Sequence, residues 1–322
     1  MAEWSNPKEA LHKISEAKHP YWSNYYGFYS SWLGGYFKEP WSMLIPLDDH
    51  MVHRGDGVFE AVRLIDRAYF DLDAHLSRLQ RSADQLGLQL PFEISKIKAT
   101  CVELARMTGE PNGLLRIFVS RGPGDFGTNP YTTVGSQLNV ALTKITPPSQ
   151  EQYKNGVRAF FSSTLAKEPP YSGIKSCNYL QNVLMKKESV DRGFDFALSQ
   201  DASGRICEGS TENFAVITKD DYLVAPKFDY TLRGTTLLCA LDLAKQMVRS
   251  GDLKGIEMRD LRKEDLGHVK EMAFIGTTLG VLPVRELEGV FANKNASHPI
   301  FSKLGHLLDL EMRTGLSRRT AI

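Results

Sequence analysis

The residues best suited to chemistry lie at 173 to 182, Gly-Ile-Lys-Ser-Cys-Asn-Tyr-Leu-Gln-Asn, where Lys175 precedes a predicted helix and Tyr179 stands four positions on. An amine held there by a rigid element and partly desolvated has a lowered pKa, and it can form a Schiff base with a carbonyl compound. Asn178 and Gln181 have the spacing of an N-cap and its reciprocal partner, and Leu180, Val183, Leu184 and Val190 follow helical spacing. Taken alone, a solvated surface lysine is the simpler reading.

Four further groups give that lysine company. Arg78, on a predicted helix beside His75, offers the planar fork of donors that suits a phosphate, though on its own a solvated helical charge is the favoured reading. Arg233-Gly-Thr-Thr236 opens a helix, where free backbone N–H groups and the helix dipole attract an anion. Gly276-Thr277-Thr278 forms a second candidate nest at a strand end. Glu208, or its neighbour Glu212 in Glu-Gly-Ser-Thr-Glu-Asn, could hold a pyridine nitrogen protonated, so that the ring draws electrons from a substrate carbanion. In this order the groups meet the needs of a pyridoxal phosphate site. A zinc site is not expected, because the eight histidines show no ligand spacing. A serine hydrolase lacks its Gly-x-Ser-x-Gly elbow, and the glycine pair at Gly55 and Gly57 precedes a strand and not a helix, which argues against a dinucleotide fold.

The elements that must position these residues read as α+β. Residues 7 to 17 predict a short amphipathic appendage helix, and residues 20 to 41 are crowded with aromatic rings that fit a core, an interface or a site wall. Asp48 to Gly57 reads as irregular loop. Strands are expected at 58–64 and 68–72, helices at 72–86 and 93–108, then strands at 114–120 and 137–143. Thr146-Pro-Pro-Ser149 is the best linker. Beyond it come strands at 156–162, 194–199, 205–218, 222–226 and 271–275, with helices from Leu180, at 235–249 and at 298–312. The division expected is an N-terminal extension (1–24), a small domain (25–145), a linker (146–155) and a larger domain (156–322) that carries the lysine.

Composition narrows the partners. A chain of 322 residues supports two cores, and a net charge of +1 gives no field to attract nucleic acid or anionic membrane. Apolar runs fall short of the roughly 18 residues of a membrane span, and neither a signal peptide nor a transit peptide is recognisable. The four scattered cysteines form no paired motif, which points to a reducing, cytoplasmic setting.

The ordered set His-x-x-Arg-Leu (75–79), Lys-x-x-Asn-Tyr-Leu-x-Asn (175–182), Glu-Gly-x-Thr-Glu-Asn (208–213) and the two Gly-Thr-Thr triplets at 234 and 276 resembles the class IV, fold-type IV pyridoxal phosphate aminotransferases. The resemblance runs from about residue 25 to the C-terminus. Tyr29 to Gly35, Ile45 to Phe59 and Gly122 to Phe126 are similar to plant-type D-amino-acid aminotransferases, a group related to aminodeoxychorismate lyases and branched-chain aminotransferases. It implies a small N-terminal α/β sandwich, a larger C-terminal domain with a barrel-like β core, and a homodimer whose sites lie between the domains.

The same resemblance implies that Lys175 carries pyridoxal 5'-phosphate and shuttles the proton. Tyr179 would bond the ring hydroxyl, Glu208 would pair with the ring nitrogen, and Arg78, Thr235, Thr236, Thr277 and Thr278 would hold the phosphate. Phe59 stands where bacterial D-amino-acid aminotransferases carry tyrosine, and Phe126 and Thr128 stand near their carboxylate-trapping arginine and histidine. Arg116 remains as the basic candidate for the substrate carboxylate, with a buried structural ion pair as its alternative. Leu237 and Arg233 also depart from the family's usual flanks of the first triplet. The expected reaction moves an amino group from an amino acid, D-alanine being the favoured type, to a 2-oxo acid. The rival readings are pyruvate elimination as in aminodeoxychorismate lyase, branched-chain L-amino acids, and a non-enzymatic cofactor carrier.

Overall fold

The computed structural model describes residues 4–293, 295 and 297–322. The chain forms two compact units. The first runs to Leu72, resumes over Leu76–Ile145 and takes back Thr320–Ile322; the second comprises Asp73–His75 and Thr146–Arg319.

The first unit begins with helix α1 (Pro7–Glu16), capped by the Asn6 side chain and without a buried residue. Its sheet contains β1 (Tyr25–Ser30), β2 (Gly35–Phe37), β3 (Gly57–Ile65), β4 (Ala68–Phe70), β5 (Gly113–Ser120) and β6 (Gln137–Thr143). They pair antiparallel in the order β4-β3-β5-β6-β1-β2, and the C-terminal strand Arg319–Ala321 joins the β4 edge. The segment 48–57, expected as loop, holds a short helix α2 (His50–Arg54). The reason is local: the Asp49 carboxylate accepts from Met51 N–H, and Gly55 closes the turn at φ 68°.

Strand alternation turns Val58, Val62 and Leu64 of β3, with Leu115, Ile117 and Val119 of β5, inward. Two helices complete this core, α3 (Leu72–Gln85) through Leu76, Leu79 and Ala83, and α4 (Ile94–Thr108) through Ile97, Cys101 and Leu104. Each set follows the 3.6-residue period that the sequence displays.

The second unit starts with a helix inside the stretch read as linker, α5 (Gln150–Asn155), fixed by a capping box between Ser149 and Gln152. Its strands are β7 (Val157–Phe161), β8 (Phe196–Gln200), β9 (Ile206–Gly209), β10 (Asn213–Thr218), β11 (Tyr222–Ala225), β12 (Gly255–Met258), β13 (Val269–Gly276), β14 (Gly280–Leu287) and β15 (Phe291–Ala292). Six of them close a ring, β9-β10-β13-β14-β7-β8 and back to β9, which is the barrel-like core expected. Phe214, Val216, Met272, Phe274, Leu198 and Leu282 are among the side chains that fill it. Helices α6 (Leu180–Asp191), α7 (Thr235–Arg249) and α8 (Pro299–Thr314) complete the unit. The strands at 255–258, 280–287 and 291–292 were not expected from sequence.

Helix α6 departs from its expected cap and face. It starts at Leu180 with Tyr179 at the N-cap and no side-chain capping bond. Its first backbone bond runs from Val183 N–H to the Tyr179 carbonyl, and the Asn178 carbonyl instead accepts from Lys167 Nζ. The stripe Leu180, Val183, Leu184 and Val190 is 44–65% exposed, while Met185 turns inward toward Phe160 and Ala197.

Candidate functional site

In the second unit, Lys175 follows a 3-10 turn (Tyr171–Gly173) and precedes α6, so its backbone is irregular while both flanks are fixed. Ser172 Oγ anchors the turn by donating to the Asp229 carbonyl at 2.9 Å. The lysine is 8% exposed, which overturns the solvated-surface reading. Its Nζ lies 5.7 Å from the centroid of the half-buried Tyr179 ring.

Glu208 sits on β9, opposite Asn213 of β10. Its Oε2 accepts from Leu232 N–H at 3.1 Å and from Asn213 Nδ2 at 3.4 Å, and that same amide donates to the Leu232 carbonyl at 2.9 Å. One carboxylate and one amide thereby clamp the loop that leads into α7. Burial pushes the Glu208 carboxyl up to about 7; the Leu232 N–H and the charges of Lys175 and Lys167 pull it down, and Glu212 adds a small upward push. Glu212 is buried and accepts from Thr211 N–H at 2.9 Å and from the Thr211 hydroxyl. Burial raises its pKa too, but the lysine acting on it is Lys186. Of the two carboxylates, Glu208 is the one that feels Lys175.

Helix α7 opens at Thr235 with Gly234 as its N-cap. A Cβ on Gly234 would fall 1.8 Å from Asn213 Oδ1, so only glycine lets the helix start this close to the Glu208 clamp. Thr236 Oγ1 lies 3.3 Å from Thr277 Oγ1, which joins the helix start to the turn after β13. Thr278 occupies that turn, half-buried. Thr235 Oγ1 lies 3.1 Å from His75 Nε2, within the same unit. The N–H groups of a helix start, flanked by hydroxyls, suit a phosphate, and a half-buried carboxyl that a lysine charge acts on suits a cationic ring nitrogen beside an amine. The residues present therefore fit pyridoxal phosphate.

In the first unit, Arg78 is 5% exposed and bonds Glu60 with both arms, Nε to Oε1 at 2.7 Å and Nη2 to Oε2 at 2.8 Å. A solvated helical charge is excluded. Arg116 shows the reverse: it is exposed on β5 opposite Ala61 and Ala141, so the buried ion-pair alternative fails for it. Phe59 shares its sheet face and stacks on Phe118 with centroids 5.9 Å apart. Phe126 is 59% exposed in the glycine loop.

Sequence reasoning left three site residues without a role. Asn213 was visible in the motif at 208–213, and His75 beside Arg78. Lys167 had no signal, because only folding sets it beside Tyr179 and Glu208. Among the described residues no cluster suited to a metal is present.

Residues 57–287, more than half of the chain, match the family described as amino-transferase class IV. The chain is 36% identical over 292 residues to a chloroplastic D-amino-acid transaminase of Arabidopsis thaliana, covering 89% of this chain and 76% of that one. It is 27% identical to a D-alanine aminotransferase of Bacillus licheniformis, covering 80% and 87%. In fold it matches the T.th. branched-chain amino acid aminotransferase, solved with pyridoxamine 5'-phosphate, at a TM-score of 0.83 and 23% identity over 92% of this chain and 98% of that one. With its motifs, its closed barrel and these likenesses in agreement, the chain belongs to the class IV aminotransferases.

Proposed function

We infer that the protein is a pyridoxal 5'-phosphate-dependent aminotransferase acting on D-amino acids and 2-oxo acids. The observation that carries the reading is the Glu208 carboxyl, clamped at the base of α7 with the Lys175 charge acting on it. Bound pyridoxal phosphate supplies an electron sink for the bond broken at the substrate Cα. Lys175 Nζ would hold the cofactor through its amine and, once a substrate amine has displaced it there, would move the proton at the substrate Cα. Glu208 keeps the ring nitrogen protonated, since a carboxylate that is costly to ionise alone is stabilised by a cation against it. Tyr179 orients the ring through its hydroxyl. The α7 start with Thr235 and Thr236, and the turn at Thr277 and Thr278, bind the phosphate. Arg78 keeps a phosphate role within this proposal, and Phe59 and Arg116 a part in substrate choice.

The D-amino-acid preference is supported by the 36% identity to the Arabidopsis transaminase. Assembly as a homodimer is supported by the exposed apolar stripe of α6, which Val183→Glu with Leu184→Glu should convert to a monomer in light scattering. A cytoplasmic setting is supported by four free cysteines. Among the described residues, no helix is long and apolar enough to cross a membrane.

Protein loaded with pyridoxal phosphate should be yellow and lose the colour in Lys175→Ala; a wild type that cannot take up the cofactor refutes the assignment. D-alanine should discharge the colour faster than L-alanine or L-leucine, and turnover should require a 2-oxo acid acceptor. Release of pyruvate from aminodeoxychorismate without an acceptor would assign the lyase reaction instead.

A further inference from the structure

The reaction assigned above makes no use of Lys167, yet this is the second cation acting on Glu208. Lys167 belongs to the segment between β7 and the turn at Tyr171–Gly173. Its Nζ donates to the Asn178 carbonyl at 2.9 Å and stands 4.8 Å from the centroid of the Tyr179 ring, closer to that ring than Lys175 Nζ at 5.7 Å. Lys167, Gln181, Asn182, Glu208 and Gly209 line one small pocket. Asn182 Nδ2 donates to the Ser210 carbonyl at 2.6 Å, and its Oδ1 is a buried acceptor that no described group satisfies. The half-buried lysine thus lies between a backbone carbonyl and an aromatic face, on the wall of a pocket that Glu208 and Asn182 also line. Burial lowers the Lys167 pKa, and Glu208 opposes that shift.

We propose that Lys167 is a positioning residue of the cofactor site: its grip on the Asn178 carbonyl and Tyr179 ring fixes the entry to α6 beside the pocket that it lines together with Glu208. The proposal rests on the pyridoxal phosphate reading. The charged groups acting on Glu208 are Lys175, Lys167 and Glu212.

The test compares Lys167→Met with Lys167→Arg in the full chain. In Lys167→Met the dissociation constant for pyridoxal phosphate, read by quenching of intrinsic fluorescence in cofactor-free protein, should rise about tenfold. The acid limb of its kcat profile should move up by about half a pH unit, because a carboxyl that loses a neighbouring cation is harder to ionise. KM for the amino acid should stay within about twofold, and Lys167→Arg should restore both the affinity and the acid limb. Wild-type values in Lys167→Met would overturn the proposal, as would Lys167→Arg failing as fully as Lys167→Met. A wild type that binds no pyridoxal phosphate would instead refute the functional assignment, and this proposal with it.

Discussion

Each unit buries a cation beside a carboxylate, and the two do so to opposite effect. In the first, Arg78 and Glu60 face each other as two planar forks, with both Glu60 oxygens taken by the guanidinium at 2.7 and 2.8 Å. In the second, the Glu208 oxygen is held by neutral donors, Leu232 N–H and the Asn213 amide, and its pKa remains pushed up to about 7. A bidentate pair offsets its own desolvation and resists change. A carboxyl hydrogen-bonded by neutral donors, with Lys175 and Lys167 acting on it through their charges, stays costly to ionise, and a cationic ring nitrogen against it would offset that cost. The difference separates a side-chain pair that supports a core from one poised for a ligand.

Removing the poised amine should have the largest effect. Lys175→Ala should lower the rate of the amino-acid half-reaction by at least ~10^4-fold while the melting temperature of the cofactor-free protein stays close to wild type. Breaking the locked pair should appear in stability. Glu60→Ala, which takes the carboxylate from a buried guanidinium, should cost about 3–5 kcal/mol in urea unfolding. Exchanging both partners, Glu60→Leu with Arg78→Met, should recover most of that loss. If the double variant also binds pyridoxal phosphate as well as wild type, Arg78 has no phosphate role.

The pH dependence sharpens the contrast. Because the folded-state pKa of Glu208 is raised, the stability linked to its protonated form is fully present below the ordinary value near 4.5 and is lost as pH rises through about 7. Cofactor-free wild type should therefore lose about 2–3 kcal/mol across that window that Glu208→Gln does not lose. The same variant should retain the cofactor yet turn over about 10^2-fold more slowly. Equal turnover would point to Glu212. The smallest effect is expected at the helix start, where Thr235→Val gives up the contact with His75 and should cost about 1 kcal/mol in thermal unfolding.

Local periodicity made the long helices readable, while the short α2 and α5 were missed. Leu76, Leu79 and Ala83 announce α3, and the bounds of α7 follow from Gly234 and the apolar positions after it. The strands at 255–258 and 280–287 escaped because their meaning lies in partners far along the chain; β14, for example, pairs β7 from more than a hundred residues earlier. The cap at Asn178 failed for a related reason, since its carbonyl is claimed by Lys167 eleven residues away.

By itself, the sequence determined the chemistry-bearing residue types, their order and the resemblance they carry, because motifs at 175–182, 208–213, 234–236 and 276–278 are contiguous in the chain. Only the tertiary structure decided which charges are paired, which are exposed and which lie beside a carboxyl. It locked Arg78 on Glu60, left Arg116 exposed, and set Glu208 against Lys175 and Lys167. Burial and charge pairing depend on neighbours that only the fold brings together, and a cation and a carboxylate therefore make a closed bidentate pair in one unit and leave a carboxyl with a raised pKa in the other.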